Sequence, residues 1–158
     1  MVDRFERFSF AISEISRYWH KIAADELEKY GLKGPYAVYF TTMYRYPEGL
    51  TSARLSELCA RDKSDVSRAI ATMEKMKLAV KEAVGGNFYR ARVRLTEMGM
   101  EVARHINARA HLAVEMGGNG LSDGQREALY AALDIIVNNL QEISRAGLPE
   151  VENALASD

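Results

Sequence analysis

Ser64, Ser67, Arg68, Ala71, Thr72 and Lys75 are spaced so that a helix gathers them on one side. Val66, Ile70, Met73 and Lys77 fall on the other. Small hydroxyls and an alanine let a duplex edge approach closely. Arginine and lysine supply contacts to phosphate and guanine, and an alanine methyl can touch the methyl of thymine. Taken alone, such a helix has a plainer reading, a solvated polar face.

The elements that must position this face change the weighing. Asp62 stands where it can cap the helix, with Asp65 three residues on in a capping-box position, and the helix is expected over about 63–78. Before it, Leu55, Leu58 and Cys59 recur at helical spacing, with Ser52 placed as the cap. After it, Val80–Val84 and Tyr89–Leu95 are strand-like around the turn chemistry of Gly85-Gly86-Asn87. In the second run Ala91, Val93 and Leu95 alternate with Arg90, Arg92 and Arg94, so one face can pack while the other carries cations. Helix, turn, helix and basic hairpin is the layout of a winged helix-turn-helix.

Four short motifs stand in order here: the Leu50-Thr51 opening, Leu55-Ser56-Glu57-Leu58, Asp62-Lys63-Ser64-Asp65-Val66-Ser67-Arg68, and Leu95-Thr96-Glu97-Met98-Gly99. At this spacing the chain resembles the MarR-type (multiple antibiotic resistance regulator) transcription factors, over roughly residues 5–146. The chain also departs from the pattern. Where the wing tip of such proteins usually carries an Asp-Arg pair, this one has Asn87-Phe88-Tyr89, and its nearest cation is Arg90. Ala60 and Arg61 replace a common glycine and a common apolar residue in the turn.

At 158 residues the chain is long enough for a substantial core, and its 47% apolar content is that of a globular protein. No apolar run reaches membrane-spanning length. Asp3, Arg4, Glu6 and Arg7 interrupt any signal-peptide pattern, and the single cysteine cannot close an internal disulfide, so a cytoplasmic location is expected. The net charge of −1 hides an uneven distribution. Thr51–Arg94 holds ten Lys/Arg against five Asp/Glu, a local +5, which leaves −6 on the remainder. A basic module in an acidic frame can still bind phosphate.

Along the rest of the chain, Phe5, Phe8, Ile12, Ile15, Trp19 and Ile22 form a heptad seam in a helix over about 3–30 that stops at Gly31. A seam of this kind needs a helical partner, in the same chain or in another subunit. Gly34-Pro35 opens a second helix dense in aromatics: Tyr36, Tyr39, Phe40, Met43 and Tyr44. Core packing is the plain reading. The sharper one is a cleft for a flat organic ligand, with Trp19, His20 and Arg45 nearby. Thr96 can cap a helix to about Met116, whose apolar face is marked by Val102, Ile106, Ala110 and Ala113. After Gly117-Gly118-Asn119-Gly120, Ser122 and Gln125 form a capping box. Leu129, Leu133, Ile136, Leu140 and Ile143 then make a second seam, stopped by Gly147 and Pro149.

No convergent catalytic set is visible, so the chain is not read as an enzyme. His105 and His111 are six apart and fall on different helix faces, which is not a metal-binding spacing, and the glycine clusters lack the lysine of a phosphate-binding loop. Cys59, at an apolar-periodic position, reads as a buried inert thiol. No metal or cofactor is expected.

The expected fold is mainly α with a small β-hairpin wing. It is one MarR-like domain over 1–158, with a winged helix-turn-helix at about 50–96 flanked by N- and C-terminal helices at about 3–30 and 97–146, and a frayed tail at 147–158. The resemblance implies that the flanking helices dimerise. It further implies a homodimeric, ligand-responsive repressor on double-stranded DNA, with a small aromatic or phenolic effector. The candidate DNA-reading residues are Lys63, Ser64, Ser67, Arg68, Ala71, Thr72 and Lys75 on the helix, with Arg54, Asn87, Arg90 and Arg92 beside it. Candidates for an effector pocket are Trp19, His20, Tyr36, Tyr39, Phe40, Met43 and Tyr44. The rival reading is a winged helix used as a protein-interaction module without an operator.

Overall fold

The computed structural model describes residues 3–85 and 87–148, side chains at 5, 84 and 87–90 excepted. The Phe5 side chain, which belongs to the expected seam, and most of the expected tail therefore lie outside what the structure describes. The chain divides into two compact units, one up to Ala113 and one from Val114.

In the first unit, α1 (Arg4–Glu28) ends in a Schellman motif. Leu32 N–H donates to the Leu27 carbonyl (3.1 Å) and Gly31 N–H to the Glu28 carbonyl (2.9 Å), with Gly31 at φ +70°. Leu27 and Leu32 are thereby drawn into the core, whereas Phe8, Ile12, Ile15, Trp19 and Ile22 of the seam stay exposed. A 3-10 turn (Gly34–Tyr36) carrying Pro35 leads into α2 (Ala37–Tyr44), which buries Tyr39, Phe40, Thr42 and Met43.

A two-residue strand, β1 (Leu50–Thr51), precedes α3 (Ser52–Cys59) and α4 (Lys63–Lys75). The cap of α3 is Thr51, one residue earlier than expected: its hydroxyl accepts from Arg54 N–H at 3.2 Å, and Ser52 is already helical. Asp62 caps α4 as expected, accepting from Asp65 N–H at 2.9 Å. Both helices also end in Schellman motifs, but with side chains at the left-handed position. Arg61 N–H donates to Ser56 and Ala60 N–H to Glu57, with Ala60 at φ 49°. Leu78 N–H donates to Met73 and Lys77 N–H to Glu74, with Lys77 at φ 60°. Lys77 is thus past the helix and exposed, not on its apolar side, and α4 is three residues shorter than expected.

The hairpin of β2 (Ala79–Val84) and β3 (Asn87–Leu95) is joined by β1 into an antiparallel sheet of order β1-β3-β2. Leu50 pairs with Val93 and Thr51 with Arg92 on one side; Ala79 pairs with Leu95 and Lys81 with Val93 on the other, with a bulge between Glu82 and Val84. Period-two alternation then decides the faces: Ala91, Val93 and Leu95 are buried and Arg92 is exposed. The core beneath the sheet combines Leu55, Cys59, Val66, Ile70 and Met73 with Phe40, Met43, Val102 and Ile106.

The hairpin exit is tied to the end of α4. Thr96 N–H donates to the Leu78 carbonyl (3.0 Å), and its hydroxyl donates to the Lys77 carbonyl (2.7 Å) while accepting from Gly99 N–H (3.1 Å), which caps α5 (Glu97–Gly117). A Cβ at position 99 would lie 1.9 Å from the Leu78 carbonyl oxygen, so only glycine fits there. This contact gives the Leu-Thr-x-x-Gly motif its physical reason.

The second unit holds the end of α5 and all of α6 (Asp123–Ala146), whose capping box between Ser122 and Gln125 forms as expected. No residue of α6 is buried. Leu129, Tyr130, Ile135, Val137, Leu140 and Ile143 are exposed, and Leu133 and Ile136 are half-buried.

Candidate nucleic-acid interface

The two faces of α4 separate cleanly. Val66, Ala69, Ile70 and Met73 are buried, which anchors the helix on the core. Lys63, Ser64, Ser67, Arg68, Ala71 and Lys75 are exposed, and Thr72 is half-buried at the edge of that face. The first turn is braced before any ligand arrives. Ser64 Oγ donates to Asp62 Oδ1 at 2.8 Å, and this bond with the Asp65 N–H holds the Asp62 carboxyl below the usual carboxylate range, the backbone bond contributing more. Asp65 does not complete a reciprocal box; its carboxylate is ion-paired with Arg68 one turn on. That pair holds a guanidinium on the exposed face, where a guanine edge or phosphate can compete for it.

Beside the helix, the register Thr51↔Arg92 sets a wing cation next to the cap of α3. Arg45, Thr51, Arg54 and Arg92 line a cleft there of about 400 Å³. Arg54 Nη1 is held by Glu57 at 2.9 Å. Arg45, at the C-terminal end of α2, joins this basic edge, although its sequence neighbours suggested an effector pocket instead. Only the antiparallel return of β1 against β3 brings it there. Arg94 is spoken for: its Nε and Nη2 donate to the Glu82 carboxylate at 3.1 and 2.5 Å across the hairpin, which holds Glu82 below its ordinary range. The face expected to carry three cations therefore offers Arg92. The side chains of Asn87 and Arg90 lie outside the described residues.

The expected effector residues separate into three places. Trp19 and His20 line a cleft of about 250 Å³ with Ile22, Pro35, Val38 and Ile106, and with the polar Glu26, Thr41, Arg61 and Arg109. Tyr36 and Tyr39 line a second cleft of about 310 Å³ with Arg61, Asp65 and Arg68. Phe40 and Met43 line neither cleft: both are sealed in the core, and Tyr44 packs half-buried against it. A helix carries only part of its girth to a cleft, and here the rest of α2 faces α3 and β3.

Glu26, which sequence reasoning passed over, is a buried carboxylate lining the first cleft. Lys29 Nζ donates to it at 2.7 Å, His105 Nε2 lies 3.0 Å away, and Arg109 Nε donates at 3.0 Å. Since an ionised carboxylate only accepts, the His105 proton is on Nε2. These bonds, Lys29 and His105 foremost, lower the Glu26 pKa to about 2. The signal was a carboxylate one turn before Lys29, which sequence alone could not join to residues eighty positions away. Cys59 is buried, its thiol donating to Thr42 Oγ1 at 3.4 Å, and burial pushes its pKa up.

No protein-family model matches the chain, and no curated protein matches it significantly. Solved structures do. A MarR transcriptional regulator from Methanosarcina mazei Go1 is 25% identical with a TM-score of 0.76, over 89% of this chain and 93% of that one. A putative MarR family transcriptional regulator from Listeria monocytogenes, complexed with a 26mer DNA, is 20% identical with a TM-score of 0.78, over 95% and 99% of the two chains. MepR of S. aureus in its DNA complex is 19% identical with a TM-score of 0.75, over 84% and 97%. With its three-stranded antiparallel sheet and wing, this chain has the winged helix-turn-helix fold of these MarR-type regulators.

Proposed function

We propose that the chain is a DNA-binding transcriptional regulator of the MarR type, a homodimer that reads a pseudo-palindromic operator and releases it when a small aromatic or phenolic effector binds. The observation that carries this reading is the outer face of α4. A helix anchored by four buried apolar residues presents hydroxyls, one alanine and the Arg68 guanidinium outward. A protein-binding helix would set more apolar area there. Ser64, Ser67, Arg68, Ala71 and Thr72 reach base edges; Lys63, Lys75, Arg54, Arg92 and Arg45 meet phosphates or the minor groove. Two copies of α4 then enter major grooves about 34–36 Å apart. That the Listeria and MepR structures hold DNA supports this reading.

The dimer is supported by the exposed seam of α1 and the unburied apolar residues of α6, each of which leaves water in contact with large side chains. The effector reading rests on the cleft lined by Trp19 and His20. No described helix is long and apolar enough to cross a membrane.

The test is a titration of the purified protein against its own upstream DNA at two salt concentrations, with a scrambled duplex as competitor. Tight, salt-sensitive binding that survives the competitor is expected. Binding that the scrambled duplex abolishes equally would return the chain to the protein-interaction reading.

A further inference from the structure

Arg92 and Arg94 stand on the same face of β3, either side of the buried Val93, yet the hairpin treats them differently. Gly49 lies flush against both stems: a Cβ there would stand 3.1 Å from Arg92 Cβ and 3.4 Å from Arg94 Cβ. Glu82 is the cross-strand register partner of Arg92, but its carboxylate goes to Arg94, accepting from Nε at 3.1 Å and from Nη2 at 2.5 Å. Arg92 is exposed and, among the described residues, in no ion pair. It lines the cleft of Arg45 and Arg54 instead.

The arginine–carboxylate pairs of the winged segment are not equivalent. Arg54–Glu57 and Arg68–Asp65 each lie within one helix, three residues apart, and each rests on a single hydrogen bond. Arg94–Glu82 spans the hairpin with two bonds. A guanidinium held in that fork meets the carboxylate as it would meet a phosphate, so a duplex must displace both bonds to win Arg94. Both side chains remain well exposed, and pairs in such a setting add little to stability. The consequence of this one lies in what it does with the cation. Resting on the DNA-binding reading, we propose that Glu82 is a positioning residue, an internal stand-in for phosphate that keeps Arg94 off the duplex and so limits sequence-independent affinity. Release of Arg94 adds a second guanidinium about 7 Å from Arg92 along the strand. A further phosphate contact strengthens the hold on every duplex alike and makes it more sensitive to salt.

The experiment compares the full-length protein with Glu82→Gln, the double variant Glu82→Gln/Arg94→Gln, and Glu48→Gln. Glu48 is an exposed carboxylate of the neighbouring cleft with no ion pair among the described residues, so its replacement removes the same charge and frees no arginine. Affinities for the upstream duplex and for a scrambled duplex are measured by fluorescence anisotropy across a salt series, with thermal unfolding as a check on the fold. Glu82→Thr, a strand-forming replacement, repeats the test should the glutamine variant fail to fold. Glu82→Gln should bind both duplexes about tenfold more tightly at about 0.1 M salt, and steepen the salt dependence by about one ion per half-site. The double variant should lose both the gain and the added slope, and Glu48→Gln should keep the wild-type slope. An unchanged slope in Glu82→Gln, or a gain that persists in the double variant, would overturn the proposal. An equal gain and slope from Glu48→Gln would overturn it too, by reducing the effect to net charge. A gain for the upstream duplex alone would make Arg94 a base reader and would likewise overturn it. Wild type that binds neither duplex would fail the DNA-binding reading and the proposal together. Wild type that binds both alike, with the Glu82→Gln gain intact, would fail the operator reading and leave the proposal supported.

Discussion

Arg68 and Arg92 are both exposed arginines beside the candidate interface, yet their settings assign them different work. Arg68 projects from the outer face of α4, fixed in direction by Asp65, whereas Arg92 stands on a strand beside the cap of α3. Arg68→Ala should therefore lower affinity by about 1–3 kcal/mol per half-site and relax preference at one base position. Arg92→Ala should weaken binding to every duplex alike and flatten the salt dependence by about one ion. Fluorescence anisotropy on a set of single-base operator variants distinguishes the two; equal, sequence-blind losses would remove Arg68 from base readout. Glu26 supports a prediction about stability. Its pKa falls from an ordinary 4.5 to about 2 on folding, so its contribution is fully present above about 4.5 and is lost as pH drops toward 2. Glu26→Gln should cost about 1.5–3 kcal/mol in urea unfolding at pH 7, a gap that narrows across that acid range. A gap independent of pH would mean that packing, not the ionic cluster, holds α1 to α5.

At the scale of elements, α3 and α4 close with the same Schellman geometry that ends α1, but with Ala60 and Lys77 where α1 has Gly31. A left-handed conformation costs a residue with a Cβ about 1–2 kcal/mol. Ala60→Gly should accordingly stabilise the protein by roughly 1 kcal/mol in thermal or urea unfolding, since the backbone bonds are already in place. A loss of stability would show that the Ala60 methyl packs usefully. These helix ends also mark what sequence could and could not tell. The elements and the outer face of α4 were legible because helical periodicity and the Asp62, Thr96 and Ser122 caps are local signals. The β1 strand was not, since two residues carry no period and exist only through their pairing with Val93 and Arg92. Lys77 was misplaced for a related reason: it continues the apolar spacing of α4, but the backbone has already turned left-handed. The effector residues scatter because Tyr39, Phe40, Met43 and Tyr44 share one helix, while the cleft takes residues from α1, α2, α5 and the turns at Pro35 and Arg61.

For the molecule as a whole, the unresolved account is apolar. Burying an exposed isoleucine or leucine gains about 1.5–3 kcal/mol, and α1 and α6 each leave several uncovered. A second copy of the chain is the occupant proposed for both. Ile12→Glu and Leu140→Glu, made separately, should each shift sedimentation equilibrium from a mass of two chains toward the single-chain 17.7 kDa and weaken operator binding in parallel. Variants that stay dimeric would place the subunit contact elsewhere. The charge is unevenly distributed along the chain: the winged segment at 51–94 carries a net +5, residues 1–50 are balanced, residues 95–146 carry −3 and residues 147–158 another −3.

The knot between the end of α4 and the start of α5 bears on how such a protein can change its reading. Thr96 grips the carbonyls of Lys77 and Leu78, and Gly99 lets α5 lie directly against Leu78, so α4 is indexed to the frame at its far end and by Asp62 at its near end. A helix pinned at both ends behaves as an exchangeable cartridge. The residues at 64, 67, 68, 71 and 72 can be rewritten while 62, 66, 70, 73, 96 and 99 keep it seated. On the proposed DNA-binding reading, new operator preferences are reachable by substitution on one exposed strip, with no renegotiation of the frame that carries it.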